Sequence, residues 1–278
     1  MNMDPEVCDA QTTPEGLLLG HPNTYCFSKD LAERAVNNAR GHVKLCIVRP
    51  SIIISCSREP LPGWTDTISA GGAVTFNLMS GLGRVYRKND IVSDFINGDV
   101  VSNAMLVCSA YTAGLPGPTM TLYQACSTVV NPCKIRTFFS EQLRHLEYNK
   151  TDSQIRPLHY WPVGNKKVFD ALSYLDNEVP VKIAEFLSGL PYIGSAEARE
   201  QVVSLKKGRK IVDGSLRDLD HFKIYEWNMD AAELIKVNNL MSPKEQEEWF
   251  IDIRRIDWLE EARKFSFGVM KYYRNEDV

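Results

Sequence analysis

At 278 residues and 31.5 kDa the chain is long enough for about two domains. Its formal net charge of −3 excludes the basic stripe that a nucleic-acid binder needs to neutralise phosphates. With 44% hydrophobic and 24% charged residues it reads as a globular protein with a sizeable core, neither collagen-like nor of low complexity.

Met1 to Gly20 carries Asp4, Glu6, Asp9 and Glu15 but no basic leader or compact apolar segment, the pattern of neither a secretory signal nor a transit peptide. Phe27 to Arg40 follows with apolar residues at Phe27, Leu31, Ala35 and Ala39, a stripe that predicts a helix stopped by Gly41. Val43 to Val48 is a short β-branched run ended by Arg49-Pro50, which predicts a strand buried in a parallel sheet. Pro60, Pro62 and Gly63 make a loop. Gly71-Gly72 and Gly81-x-Gly83 punctuate a helical piece from Val74 to Met79. Asp99 is placed to cap a helix from Val100 to Tyr111, and Thr121 to Cys126 forms another short strand. Helix, strand, loop, helix and strand in this order make an α/β fold, the C-terminal part of a doubly wound sheet. No run approaches the ~18 apolar residues of a membrane-crossing helix. The closing Arg274–Val278 matches neither a peroxisomal address nor a prenylation box.

The seven cysteines all precede residue 134, and no Cys-x-x-Cys pair or zinc-finger spacing occurs among them. Free, mostly buried thiols and no metal site are expected. Beyond Cys133 the chain gains four of its five tryptophans and becomes richer in charge, which suggests a boundary between 130 and 160, with Asn131-Pro132 and Arg156-Pro157 as breaks. The division drawn is 1–150 as a reductase-type domain and 151–278 as a mostly helical C-terminal domain.

Tyr25 and Lys29 stand at i and i+4, on one face of a helical turn. That pair suits carbonyl reduction by a nicotinamide cofactor. When hydride reaches the carbonyl carbon, the oxygen becomes an alkoxide and needs a proton. A free phenol titrates near pH ~10, and a neighbouring ammonium favours the phenolate, which brings the donor closer to the working pH. The spacing alone is weak, since an ordinary helix with a surface lysine produces it as readily.

A series of motifs in order gives it context. Pro22-Asn23-Thr24-Tyr25-Cys-Phe-Ser28-Lys29-Asp-Leu-Ala-Glu33 resembles the catalytic-helix segment of alcohol-forming fatty acyl-CoA reductases, a branch of the extended short-chain dehydrogenase/reductases. Val48-Arg49-Pro50-Ser51-Ile52-Ile53, Glu59-Pro60-Leu-Pro62-Gly63-Trp64, Phe95-Ile-Asn-Gly-Asp99 and Tyr123-Gln-Ala-Cys-Ser127 are similar to the segments that come next in that family. In the third of these, Ile96-Asn97 stands where Ile-Pro is more typical. Phe222-x-x-x-x-Trp227, Phe250-Ile-Asp252, Ile256-Asp257-Trp258 and Gly268-Val-Met-Lys-Tyr272 resemble the family's helical C-terminal domain, so the likeness runs from about Asn23 to Tyr272.

The resemblance implies reduction of a long-chain fatty acyl-CoA to a primary alcohol through an aldehyde, with NADPH as hydride donor. It makes Tyr25 the proton donor, and Lys29 its tuner and partner to the nicotinamide ribose. Arg49, Pro50 and Ser51 then flank the nicotinamide at the end of a strand, where ligands meet such sheets. Pro62, Gly63 and Trp64 wall the acyl or cofactor channel. Asp99 and the late tryptophans are read as a helix cap and as packing. The implied localisation is intracellular, with peripheral association at peroxisomal or endoplasmic-reticulum membranes; oligomeric state is left open.

The chain also departs from the family pattern. It carries neither the glycine-rich dinucleotide loop nor the upstream Ser or Thr that bonds the substrate carbonyl, so a truncated and inactive reductase is one expectation. An unpaired sheet edge and an uncovered apolar face follow from it. The alternative is a catalytically dead interaction module derived from a reductase. A weaker third reading is an extended reductase acting on nucleotide sugars or steroids, against which the helical second half argues.

Overall fold

The computed structural model describes residues 20–67, 71–81, 83–87, 91–149, 157–189, 222 and 225–274, with scattered positions between 195 and 206. Helix α1 spans Thr24–Ala39, three residues earlier than the apolar stripe predicts. Asn23 explains the shift: its side-chain oxygen accepts the Cys26 N–H at 2.8 Å and so caps the helix ahead of Tyr25. Gly41, at φ +57°, ends it in the left-handed region where glycine pays no Cβ penalty. No residue of α1 is buried, and Leu31 and Val36 are at least half exposed. Of the stripe that predicts the helix, Phe27 is half-buried and Leu31, Ala35 and Ala39 are exposed.

Strand β1 (Leu45–Pro50) pairs in parallel with β6 (Met120–Ala125), from Leu45 opposite Met120 to Pro50 opposite Ala125. Two corrections follow. Arg49 and Pro50 belong to the strand rather than ending it, and none of its side chains is buried. The parallel pairing is as expected, but among the described residues β1 has only β6 as a partner, with the helix α3 (Gly98–Gly114) packed against both strands. After Ser51 the chain continues as β2 (Ile52–Ile54) and changes partner, pairing in parallel with β5 (Phe95–Asn97). Ser51 donates its N–H to Ala125, whereas Ile52 donates to Asp94, so the switch falls at a single peptide.

Helix α2 (Gly71–Met79) contains Gly71 and Gly72, both buried, so these glycines are packing positions and not punctuation. The stop is Gly81, at φ +71°. Strands β3 (Arg84–Tyr86) and β8 (Trp161–Val163) pair in parallel; β4 (Val92–Ser93) and β7 (Cys133–Lys134) pair antiparallel. Helix α4 (Ile135–Tyr148) follows β7 directly. Helix α5 (Lys166–Ser173), a π-helical turn (Tyr174–Glu178) and α6 (Val179–Ser188) run on as one helical rod. The last described part holds α7 (Ala232–Leu240), α8 (Pro243–Glu248), a 3₁₀ turn (Ile253–Arg255), α9 (Trp258–Gly268) and a closing π-helical turn (Val269–Tyr273).

This is an α/β architecture followed by a helical C-terminal part. One core runs across both. Phe95 stacks on Phe138 with ring centroids 4.6 Å apart and lies 6.4 Å from Trp258. Helix α9 packs along α4, where Arg263 bonds Glu141 at 2.6 Å and Ser266 meets His145 at 2.9 Å. Trp258 donates its indole N–H to the Asn131 carbonyl at 2.9 Å, reaching back to the Asn131-Pro132 break. It alone of the late tryptophans is buried; Trp161, Trp227 and Trp249 are exposed, contrary to a packing role for all four.

Candidate active site

The capped start of α1 places Tyr25 in its first turn, with Lys29 one turn on. The Lys29 ammonium lies 5.5 Å from the centre of the Tyr25 ring, over its face. Tyr25 is 60% exposed, and Phe222 meets it edge-on at 6.4 Å. Trp227 packs against Phe222 at 5.9 Å and Tyr225 against Trp227 at 6.3 Å. Sequence reasoning placed Phe222 and Trp227 in the helical domain and missed that Phe222 stands beside the phenol, with Trp227 packed on it. Only a contact between positions about two hundred residues apart brings Phe222 there.

Residues 225–230 run along the strands. Glu226 accepts the Val92 N–H at 2.8 Å, and Asp230 donates its N–H to the Gln124 side chain at 3.1 Å. Gln124 lies opposite Arg49 in the β1–β6 register. Tyr25 is thus bordered by Phe222, and the carboxyl end of β6 by Asp230. The C-terminal end of parallel strands is where open α/β sheets take their ligands.

Arg49 is committed to Glu33, which it holds through two bonds of 2.8 and 2.5 Å. The pair pulls the Glu33 carboxyl below its ordinary value and pushes the guanidinium up. Pro50 is exposed. Near Ser51 lies Asp94, a buried carboxylate that takes the N–H and hydroxyl of both Ser127 and Thr128. Burial pushes the Asp94 carboxyl up, against those hydrogen bonds, which pull it down. Arg49 is therefore tied to Glu33 and the Ser51 backbone N–H to Ala125, with the Ser51 hydroxyl buried and without a hydrogen-bond partner, whereas among the described residues neither the Tyr25 hydroxyl nor the Lys29 ammonium has a hydrogen-bond or ion-pair partner.

The Glu-Pro-x-Pro-Gly-Trp loop borders a different space. A cavity of about 840 Å³ is lined by Ile53, Ile54, Cys56, Pro60, Trp64 and Phe265 on its apolar side, and by Glu59, Asp66 and Asp99 among its polar groups. Of the three residues expected to wall a channel, Trp64 does line this cavity, while Pro62 and Gly63 do not. Gly63 shapes the turn. It sits at φ +79°, donates its N–H to Cys56 at 2.8 Å, and would drive a Cβ to 2.4 Å from the Lys264 carbonyl oxygen. Gly268 meets Gly63 from the other side, and a Cβ there would lie 1.6 Å from the Gly63 carbonyl oxygen. Two glycines in separate motifs thus allow the loop and α9 to touch backbone to backbone. Tyr25 and Lys29 do not line this cavity.

Asp99 also has another place than the one expected. The cap of α3 is Asn97, and Asp99 lies within the first turn. Its carboxylate accepts the N–H groups of Ser57, Arg58 and Glu59 at 2.9, 2.7 and 3.1 Å. It holds the loop before Pro60 to the helix, next to the cavity. Glu261, almost wholly buried, accepts from Ser57, Asn97 and Lys264 in the same region.

Residues 4–105 match the family model described as male sterility protein. Fatty acyl-CoA reductase 2 of Mus musculus is 26% identical over 280 residues, which cover 96% of this chain and 50% of that protein. The Bos taurus reductase of the same name is 27% identical over 291 residues, covering 99% and 52%, and fatty acyl-CoA reductase 1 of Rattus norvegicus is 28% identical over 280 residues, covering 96% and 50%. The chain is related to the fatty acyl-CoA reductases. It spans about half the length of the relatives it matches.

The male sterility match contains Tyr25, Lys29, Arg49, Trp64 and Asp99, whereas Phe222, Glu261 and Gly268 fall outside it. The similarity to the reductases extends over both parts, in keeping with a core shared between them. Among solved structures, RMD from Pseudomonas aeruginosa complexed with NADPH covers 56% of this chain and 49% of its own, at 19% identity and a TM-score of 0.31.

Proposed function

We propose that the chain carries the proton-donating part of a reductase acting on fatty acyl-CoA, with NADPH as the hydride source. The observation that carries this reading is the Tyr25–Lys29 pair at the capped start of α1, with neither polar end engaged by the protein among the described residues. Both ends are free for a ligand, and that is the sense in which these residues fit a nicotinamide cofactor. Lys29 would hold the ribose hydroxyls, and the cofactor supplies hydride when bound. Arg49 would have to leave Glu33 to meet a phosphate, so it acts as a strand-end brace in this reading.

Tyr25 gives its phenolic proton to the substrate oxygen as hydride reaches the carbonyl carbon. The C–O π bond becomes a C–H and an O–H bond. With a thioester, the O–H proton then passes to sulfur as the C–S bond breaks and the C–O double bond re-forms, so coenzyme A leaves as the thiol and an aldehyde remains. A second hydride and a second proton from the same phenol yield the primary alcohol. A device used twice at one oxygen needs to be reprotonated between steps, and the 60% exposure of Tyr25 gives it that access to solvent. Long-chain substrate, completion to the alcohol and peripheral association with peroxisomal or endoplasmic-reticulum membranes belong to the same proposal.

Titration of NADPH fluorescence with the 278-residue chain tests it, followed by alcohol formation from a long-chain acyl-CoA. Saturable binding weakened by Lys29→Ala, with turnover abolished by Tyr25→Phe, is expected. Absence of both binding and turnover would replace this reading with that of an interaction module descended from a reductase. Turnover retained in Tyr25→Phe would remove Tyr25 from the role.

A further inference from the structure

Buried charges in this protein are answered by their neighbours. Glu141 pairs with Arg263 and Asp252 with Arg254. Glu261 takes three donors, and Asp94 and Asp99 take backbone N–H groups. Arg87 is the exception among the described residues. It directly follows β3 and alternates with Val85 onto the buried face of that strand, with only 5% of its surface exposed. Its Nη2 donates to the Ser93 hydroxyl at 2.7 Å, whereas its Nε is buried and has no hydrogen-bond partner. Among the described residues no carboxylate pairs with it. Burial lowers its pKa, and the Tyr160 hydroxyl beside it is the one group that favours its charged form. An arginine does not escape burial by giving up its proton, so the positive charge stays and calls for an anion.

We infer that Arg87 and Ser93 form a subsite for a phosphate group and, resting on the reductase reading, that this phosphate is one carried by the acyl-CoA or by NADPH. The chemistry of the donors suits it. A guanidinium fork matches the oxygens of a phosphate, and Nε offers an N–H that nothing in the protein takes. The Ser93 hydroxyl accepts from Nη2, which leaves its own proton to donate to the same ligand. The place suits it too. Arg87 donates its N–H to the Val163 carbonyl at 3.0 Å, so it stands at the carboxyl end of the β3–β8 pair. Ser93 closes β4, and the next residue, Asp94, takes the Ile52 N–H on its carbonyl just past the carboxyl end of β1. Glu226 accepts the Val92 N–H, and the neighbouring Trp227 packs on Phe222, which meets Tyr25; a short series of contacts thus joins the subsite to the phenol. Tyr86 and Tyr160 beside Arg87 are half-buried, so solvent reaches the rim of the subsite. Both reactants carry their phosphates away from the reacting carbon, as a subsite apart from Tyr25 and Lys29 requires.

Inorganic pyrophosphate is the first probe, added to the full chain in phosphate-free buffer at constant ionic strength. A saturable rise in the urea midpoint, absent with chloride, is expected. By titration calorimetry, Arg87→Met should weaken pyrophosphate binding by roughly tenfold or more, and Ser93→Ala by about threefold. Without added anion, Arg87→Met should lose less stability than Ser93→Ala, because the first removes the unanswered charge and the second takes away its one bond. No pyrophosphate binding, equal binding in wild type and both variants, or an Arg87→Met chain less stable than Ser93→Ala without anion would overturn the inference. Coenzyme A and NADPH, titrated separately, distinguish the two sources: the one that loses affinity in Arg87→Met is the one whose phosphate sits there. If both bind and neither loses affinity, the assignment to a reactant falls. Pyrophosphate held through Arg87 while neither coenzyme A nor NADPH binds keeps the subsite and removes the reductase reading, so the two failures stay apart.

Discussion

Replacing Gly268 with alanine is the sharpest probe of how the two parts of this protein meet. The added Cβ would lie 1.6 Å from the Gly63 carbonyl oxygen, whereas a carbon and an oxygen rest comfortably at about 3.3 Å. A separation of nearly two ångströms must therefore be found. The obstructing atom is backbone, not the end of a side chain that could rotate. Gly63 is pinned by its N–H bond to Cys56, and Phe265, Val269 and Met270 around Gly268 are buried, so neither side yields alone. Overpacking usually costs about 1–3 kcal/mol when side chains can adjust; here the upper end, ~3 kcal/mol or more, is expected. For a chain of this size that is a fall in melting temperature of roughly 6–12 °C. Gly63→Ala should be at least as damaging, because it adds about 1–2 kcal/mol for a left-handed backbone to a Cβ 2.4 Å from the Lys264 carbonyl. Gly114→Ala is the control: at the end of α3, with nothing within 4 Å, it should change stability by no more than ~1 kcal/mol and in the stabilising direction. Urea unfolding of the three variants measures all of this. A Gly268→Ala protein within about 0.5 kcal/mol of wild type, the usual range of a surface change, would show that loop and helix do not press together as described.

Glu261 offers a test by pH. Burial holds its carboxyl above the ordinary 4.5, against bonds from Ser57, Lys264 and Asn97 that pull it down. The folded chain then keeps a proton that the unfolded chain has lost, so this group's contribution is greatest below 4.5 and falls as pH rises through the raised value. The urea midpoint of Glu261→Gln minus that of wild type should therefore grow as pH is raised from 4.5 toward neutrality; parallel profiles would contradict it. Cysteine reactivity follows burial. The thiol of Cys56 is pushed up to about 11 and those of Cys108, Cys126 and Cys133 to about 12, all chiefly by burial. In the native chain alkylation should therefore reach Cys26 and Cys46, both half-buried, well before these four. Modification of Cys108 as fast as in urea would refute that order.

The sequence by itself determined the local elements and the chemical proposal. Periodicity located α1, because an i, i+4 stripe repeats within one turn and needs no distant partner to be seen. The stripe alone placed the helix start too late, because the cap at Asn23 was not read from the sequence. The Tyr25–Lys29 spacing and the ordered motifs pointed to a reductase, and the relatives carry the same name. Tertiary structure alone decided what each of these touches. A pattern of apolar residues states that a face is apolar, not whether anything covers it, so β1, expected to be buried, is half-buried at most, and no residue of α1 is buried. Asp99 looked like a cap because helix starts and carboxylates go together locally; its hydrogen bonds instead run some forty residues back, to the loop at Ser57–Glu59. Phe222 beside Tyr25, and Gly268 against Gly63, join positions about two hundred residues apart, and no local propensity encodes such a meeting. Glycine in particular leaves no trace of its purpose in a sequence, since what it contributes is the absence of an atom, and only the approaching backbone shows why that atom had to be missing.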